Sequence, residues 1–161
     1  MKHYQLDIFY DCSSATRSND VVQEALSLLT TTMRTKPISL TSAEAVKNYC
    51  RLNLATREHE IFGALFLDSQ HRLIEFRELF RGTIDGCSVY VREVAKEALS
   101  LNAAAVIFTH NHPSGISEPS QADIRITERL KEALSLFDVR VLDHLIVSVE
   151  SVVSFAERGM L

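Results

Sequence analysis

The amino-acid sequence predicts an α/β layered domain, and three observations carry that prediction. Segments with apolar residues at helical spacing alternate along the chain with short, dense apolar runs of strand length. A chain of 161 residues is the size of a single hydrophobic core. With 46% hydrophobic and 24% charged residues, the composition is that of an ordinary globular protein, far from the signature of disorder.

Taken in order, residues 1–18 read as an irregular arm because of the polar run Ser13 to Ser18. From Asn19 or Asp20 as a cap, Val21, Val22, Ala25, Leu26, Leu28 and Leu29 recur at helical spacing, and the threonines 30–32 weaken the pattern. Pro37 marks a linker, and Thr41-Ser42-Ala43-Glu44 has the capping-box pattern of a new helix. The expected organisation is therefore an N-terminal arm and helix over 1–40 and a domain over 41–161.

Ile61 to Leu67 is a continuous apolar run, dense enough to predict a strand buried on both faces. Asp68, Ser69 and Gln70 close it, and Leu73, Ile74 and Phe76 follow, which predicts a hairpin. Residues 92–101 have helical periodicity and 103–109 read as another buried strand. Residues 110–119 hold two of the three prolines and read as a loop, before a helix from Ser120 to about Phe137. Val141–Val147 and Val152–Phe155 are two further strands.

A formal charge of −4 gives no net attraction to phosphate backbones, so DNA is not supported as a partner. Cys12, Cys50 and Cys87 are widely spaced and odd in number, which suits a reducing compartment better than a disulfide framework. The N-terminus has no apolar signal core, and no apolar stretch approaches the roughly 20 residues that span a bilayer. A cytoplasmic location without a membrane partner is the expectation.

The chemistry concentrates in His110-Asn111-His112-Pro113-Ser114-Gly115 and the following Pro119-Ser120-Gln121-Ala122-Asp123. Two histidines at i and i+2 in extended backbone point to the same side, so both imidazoles can reach one ion. Asp123 falls in the first turn of the next helix, where the helix dipole favours a carboxylate. Three protein ligands with a fourth place open is the pattern of catalytic zinc, and no cysteine lies nearby to close a structural site. Water attack at such a site needs a base. Glu60, at the mouth of the 61–67 strand, is the candidate, with Glu58 as its local rival.

The order Glu60, His110-x-His112-Pro113, Ser120-x-x-Asp123 resembles the JAMM motif of the JAB/MPN metalloproteases. With Phe80-Arg81-Gly82-Thr83 ahead of it, the string is more closely similar to the RadC-like bacterial branch, over about residues 41–161. The resemblance implies a mixed β-sheet flanked by helices in the JAB/MPN, cytidine-deaminase-like architecture. It implies Zn2+ on His110, His112 and Asp123, with Glu60 as general base. It also implies that Ser120 stabilises the oxyanion formed on an amide or isopeptide carbonyl. Full-length members carry a helix-hairpin-helix region, and residues 1–40 are too short and glycine-poor to hold a copy, which weakens any DNA-binding role taken from the family.

Three functional readings follow. The first is a zinc-dependent hydrolase acting on a peptide or protein substrate. The second is a zinc-binding accessory protein of DNA repair or recombination without turnover, which a basic groove would favour. The third is a metal-free loop held by hydrogen bonds among His110, His112 and Asp123. Asp143 and His144, adjacent on a strand, should face opposite ways and are not expected to act together. Deaminase and gluzincin spacings are absent, and the letters His-Asn-His do not make an HNH nuclease.

Overall fold

The computed structural model describes residues 20–28, 42–83 and 87–161; the predicted arm at 1–18, the Pro37 linker and Thr41 lie outside them. Helix α1 covers 20–28, where the apolar periodicity placed it. Helix α2 (Ala43–Leu54) starts one residue later than the capping-box pattern implied. Ser42, in extended conformation, is the cap, and its side chain accepts from the Ala45 amide at 3.4 Å. Glu44 instead accepts from Asn48 Nδ2 one turn along the helix.

Strand β1 (Ile61–Leu67) is buried at every position, as the density of its apolar residues required. Its alternate side chains enter two separate cores. Ile61, Leu65 and Leu67 pack with Val46, Cys50 and Leu54 of α2. Phe62, Ala64 and Phe66 pack on the other face with helices α3 (Val91–Ser100) and α4 (Gln121–Ser135), through Val94, Ala98, Leu130 and Leu134. The result is a three-layer molecule with β1 near its centre. The predicted hairpin is present, β1 pairing antiparallel with β2 (Leu73–Arg81). Gly63 allows their close approach, since a Cβ there would lie 2.9 Å from Phe76 Cε2 and 3.1 Å from the Arg77 carbonyl oxygen.

The sheet has five strands in the order β2-β1-β3-β4-β5, with β3 (Ala105–Asn111), β4 (Arg140–Val147) and β5 (Val152–Ser154) completing it. It is mixed, because β1 and β3 are antiparallel, β3 and β4 are parallel, and β4 and β5 are antiparallel. Strand β3 runs two residues beyond the predicted 103–109 strand. The ladders carry it on: His110 is paired with both Phe62 and Ile146, and Asn111 with Val147. His110 and Asn111 are thus strand residues and fully buried, not loop residues.

The parallel β3/β4 pair is joined by α4 in a crossover, which places the end of β3 beside the start of α4. Open α/β sheets bind ligands at such carboxyl ends of strands. Among the described residues no helix is long and apolar enough to cross a membrane.

Candidate metal centre

His110, His112 and Asp123 converge. His110 is delivered by the last turn of the β3 ladder, and His112 by the next residue but one, whose amide still follows β4 by donating to the Val147 carbonyl at 2.9 Å. Asp123 comes from the first turn of α4. Each offers one ligand atom, and these atoms all lie within 4.8 Å of one another. The two Nε2 atoms are 2.9 Å apart, His110 Nε2 is 3.3 Å from Asp123 Oδ1, and His112 Nε2 is 3.7 Å from Oδ2. Ligands at about 2.0–2.1 Å from a tetrahedral zinc stand roughly 3.3 Å from one another, so small movements accommodate an ion.

Hydrogen bonding fixes which nitrogens carry protons. His112 Nδ1 sits 2.7 Å from the Ile116 carbonyl, which can only accept, so the proton is on Nδ1 and the Nε2 lone pair of the neutral ring faces the centre. A longer relay does the same for His110. Thr127 Oγ1 donates to the Asp123 carbonyl at 2.6 Å and therefore accepts from His144 Nδ1, also at 2.6 Å. His144 is fully buried against Phe62, Phe108 and Phe155. Burial, reinforced by His110, pushes its pKa well below the ordinary histidine value, so it is neutral. Its Nε2 then accepts from His110 Nδ1 at 2.8 Å, leaving the His110 Nε2 lone pair aimed at His112 and Asp123.

Two lone pairs and a carboxylate in this space demand a positive charge between them. The electrostatics register it: the hydrogen bond with Asp123 pushes His112 up against the opposing effect of burial. Burial alone would raise Asp123, yet hydrogen bonds with His110, His112 and Ser120 hold its carboxyl well below the usual range. A proton or a divalent cation can fill that role. The donor set of two imidazoles and one carboxylate fits a borderline metal, and these three residues can hold one.

Helix α4 begins with a complete capping box. The Asp123 amide donates to Ser120 Oγ at 3.1 Å, and Asp123 Oδ2 accepts from the Ser120 amide at 2.7 Å and from the Ser120 hydroxyl at 2.6 Å. The cap therefore occupies Oδ2 and leaves Oδ1 turned toward His110. Capping and ligand orientation are served by the same atoms.

The centre opens into a cleft of about 540 Å³ whose wall includes Glu60, His112, Ser120 and Asp123 beside apolar Phe62 and Ile126. Glu60 is half-buried there, and desolvation pushes its carboxyl up, against the pull of His110 and His112. Glu58 does not share that facing: residues 57–60 precede the strand, strand alternation does not hold there, and Glu58 lines a different pocket with Arg57 and Glu78.

Asp143 and His144 do face opposite ways. Asp143 accepts from Ser154 Oγ at 2.6 Å and from the Ala156 amide at 2.9 Å, behind the sheet. Sequence reasoning missed the part played by His144 and Thr127 in orienting His110. The available signal was a histidine inside an apolar strand parallel to the ligand strand, where a buried imidazole needs polar partners.

Residues 40–160 match the family model described as the RadC-like JAB domain. The chain belongs to the RadC-like JAB family. A UPF0758 protein of Vibrio cholerae serotype O1 is 70% identical over 118 residues, covering 73% of this chain and 74% of the relative. A second UPF0758 protein of the same organism is 55% identical over 145 residues, covering 90% of this chain and 91% of that one. A UPF0758 protein of Methylibium petroleiphilum is 63% identical over 120 residues, 74% of this chain but 54% of the relative, so the match spans about half the length of such longer relatives. These names state no activity. Family membership matches the architecture and the His110, His112, Asp123 cluster already described.

Proposed function

We propose that this RadC-like domain is a zinc-dependent hydrolase that cleaves a peptide or isopeptide bond. The observation that carries the reading is the preset direction of the ligand atoms: both Nε2 lone pairs and Asp123 Oδ1 are aimed at one point by partners that can accept them only in that arrangement. Bound there by His110, His112 and Asp123, zinc supplies Lewis acidity toward a water and a carbonyl oxygen. Glu60 takes the proton of the attacking water and passes it to the leaving amine; its half-buried setting and raised carboxyl pKa bring it nearer to neutral pH, where a base is most effective.

Ser120 is assigned to the oxyanion that develops on the carbonyl. Its single hydrogen points to Asp123 Oδ2 in the free protein, and that oxygen retains the Ser120 amide when the hydroxyl turns to substrate. Apolar Phe62 and Ile126 shape the cleft for a side chain or backbone flanking the scissile bond. Glu60 and Asp123 sit in this cleft with Arg129, which is no basic groove of the kind a nucleic-acid accessory would present.

Metal analysis of the purified protein, combined with a screen of peptide, isopeptide and single-stranded DNA substrates, tests the proposal. About one zinc per chain and hydrolysis reduced by roughly 100- to 10,000-fold in Glu60→Gln with the metal retained are the expected results. Full activity in Glu60→Gln moves the base elsewhere. Zinc without turnover of any substrate leaves the accessory role standing.

A further inference from the structure

Between the two ligand histidines lies Asn111, which no part of the chemistry above uses. It is fully buried, and its side chain leaves the strand on the face opposite His110. The antiparallel ladder between β1 and β3 ends at the pair Phe62 and His110. Beyond that pair β3 follows β4, and the backbone ahead of β1 has lost its neighbour on that side. The Asn111 amide takes the neighbour's place. Its Oδ1 accepts from the Ile61 amide at 2.8 Å, while Nδ2 donates to the His59 carbonyl at 2.9 Å and the Arg57 carbonyl at 3.3 Å.

These contacts bracket Glu60 on both sides in sequence. On the opposite edge the Glu60 amide donates to the Thr83 carbonyl at 3.1 Å, and its carbonyl accepts from the Gly82 amide at 2.8 Å. The backbone carrying the carboxylate is thus held from two directions, one of them a side chain on the strand that carries the metal ligands. The amide has one workable orientation, because an N–H faces Oδ1 and two carbonyls face Nδ2. Aspartate keeps the first bond and sets a carboxylate against two carbonyl oxygens; serine is too short to span both.

We propose that Asn111 is a positioning residue that fixes the Glu60 carboxylate relative to His110, His112 and Asp123, so that base and ligands keep one spacing. The inference rests on Glu60 being the base of the proposed hydrolysis. A displacement of about 1 Å at a reacting group is enough to cost two orders of magnitude in rate.

The test uses the full chain as Asn111→Asp and Asn111→Ala, each checked for folding by circular dichroism. Zinc content is expected to stay at about one per chain in both variants, while amide exchange at Ile61 accelerates by at least about tenfold in Asn111→Ala, where that amide loses its buried acceptor. Turnover is expected to fall by about tenfold or more with KM changed less than about twofold, and Asn111→Ala added to Glu60→Gln should cost nothing further. Unchanged Ile61 exchange in Asn111→Ala, loss of zinc, failure of both variants to fold, or a full additional loss in the Glu60→Gln background each overturns the positioning role. Should the unaltered protein hydrolyse nothing, the proposed function fails by itself; Ile61 exchange and zinc content then still decide whether Asn111 clamps the Glu60 segment independently of the ligands.

Discussion

Thr127 is two turns inside α4 and touches no candidate ligand side chain, yet its hydroxyl decides how His110 presents its nitrogen. It donates to the Asp123 carbonyl and accepts from His144, so it links the backbone of one ligand to the ring of another. Thr127→Val keeps the volume and removes both bonds. We expect zinc affinity to fall by roughly 10–100-fold in that variant, measured by chelator competition, with Thr127→Ser restoring most of it. His112→Ala removes a ligand directly, and zinc content should drop far below one per chain. The pH profile carries a third expectation at this scale. A base must be deprotonated, so activity climbs with rising pH on an ascending limb that belongs to Glu60 and disappears in Glu60→Gln. The same ascending limb in the residual activity of Glu60→Gln would contradict the base assignment.

At the scale of elements, the hairpin and the helix start carry the site. Gly63 lets the edge strand β2 close against β1, and a side chain there meets Phe76 and the Arg77 carbonyl. Gly63→Val should lower unfolding free energy by about 1–3 kcal/mol in chemical denaturation, a cost of overpacking that Phe76 can only partly absorb. Elements were legible in the sequence where one physical signal dominated. The apolar run 61–67 had no other use than a strand buried on both faces, and Ser120-x-x-Asp123 at the foot of an apolar period had to cap a helix. The end of β3 was not legible, because histidine and asparagine look like loop residues until neighbouring strands satisfy their backbone and side chains. For the same reason the convergence of His110, His112 and Asp123 could be read from their spacing, but not the contacts of His144 or Asn111, which exist only through pairing between segments far apart in the chain.

Over the whole molecule, binding and stability are linked. An ion held only by the folded state adds RT ln(1 + [L]/Kd), about 2.7 kcal/mol at one hundred times Kd. Thermal unfolding should therefore shift upward with zinc and back with a chelator, and His112→Ala should abolish the shift. Alkaline pH acts through a different group. Cys50 is fully buried on the face of α2 that packs against the sheet, and desolvation raises its thiol from 9.0 to about 12. The folded state thus favours the protonated thiol, and its contribution to stability is complete below about 9 and declines as pH rises toward about 12. Cys50→Ala should flatten that alkaline loss in a denaturation series run across the window.

The candidate ligands and the proposed base reach the centre by very different lengths of chain. His110, His112 and Asp123 close within residues 110–123, whereas the contact that anchors the Glu60 segment joins residues 50 apart in sequence. Loop-closure entropy and contact order both make the short circuit cheaper and faster to form than the long one. Yet His110 takes its place only by pairing with Phe62 and Ile146, so the short circuit gains its geometry from the same ladders that seat the Glu60 segment, and whatever loosens β3 from its neighbours disturbs both together.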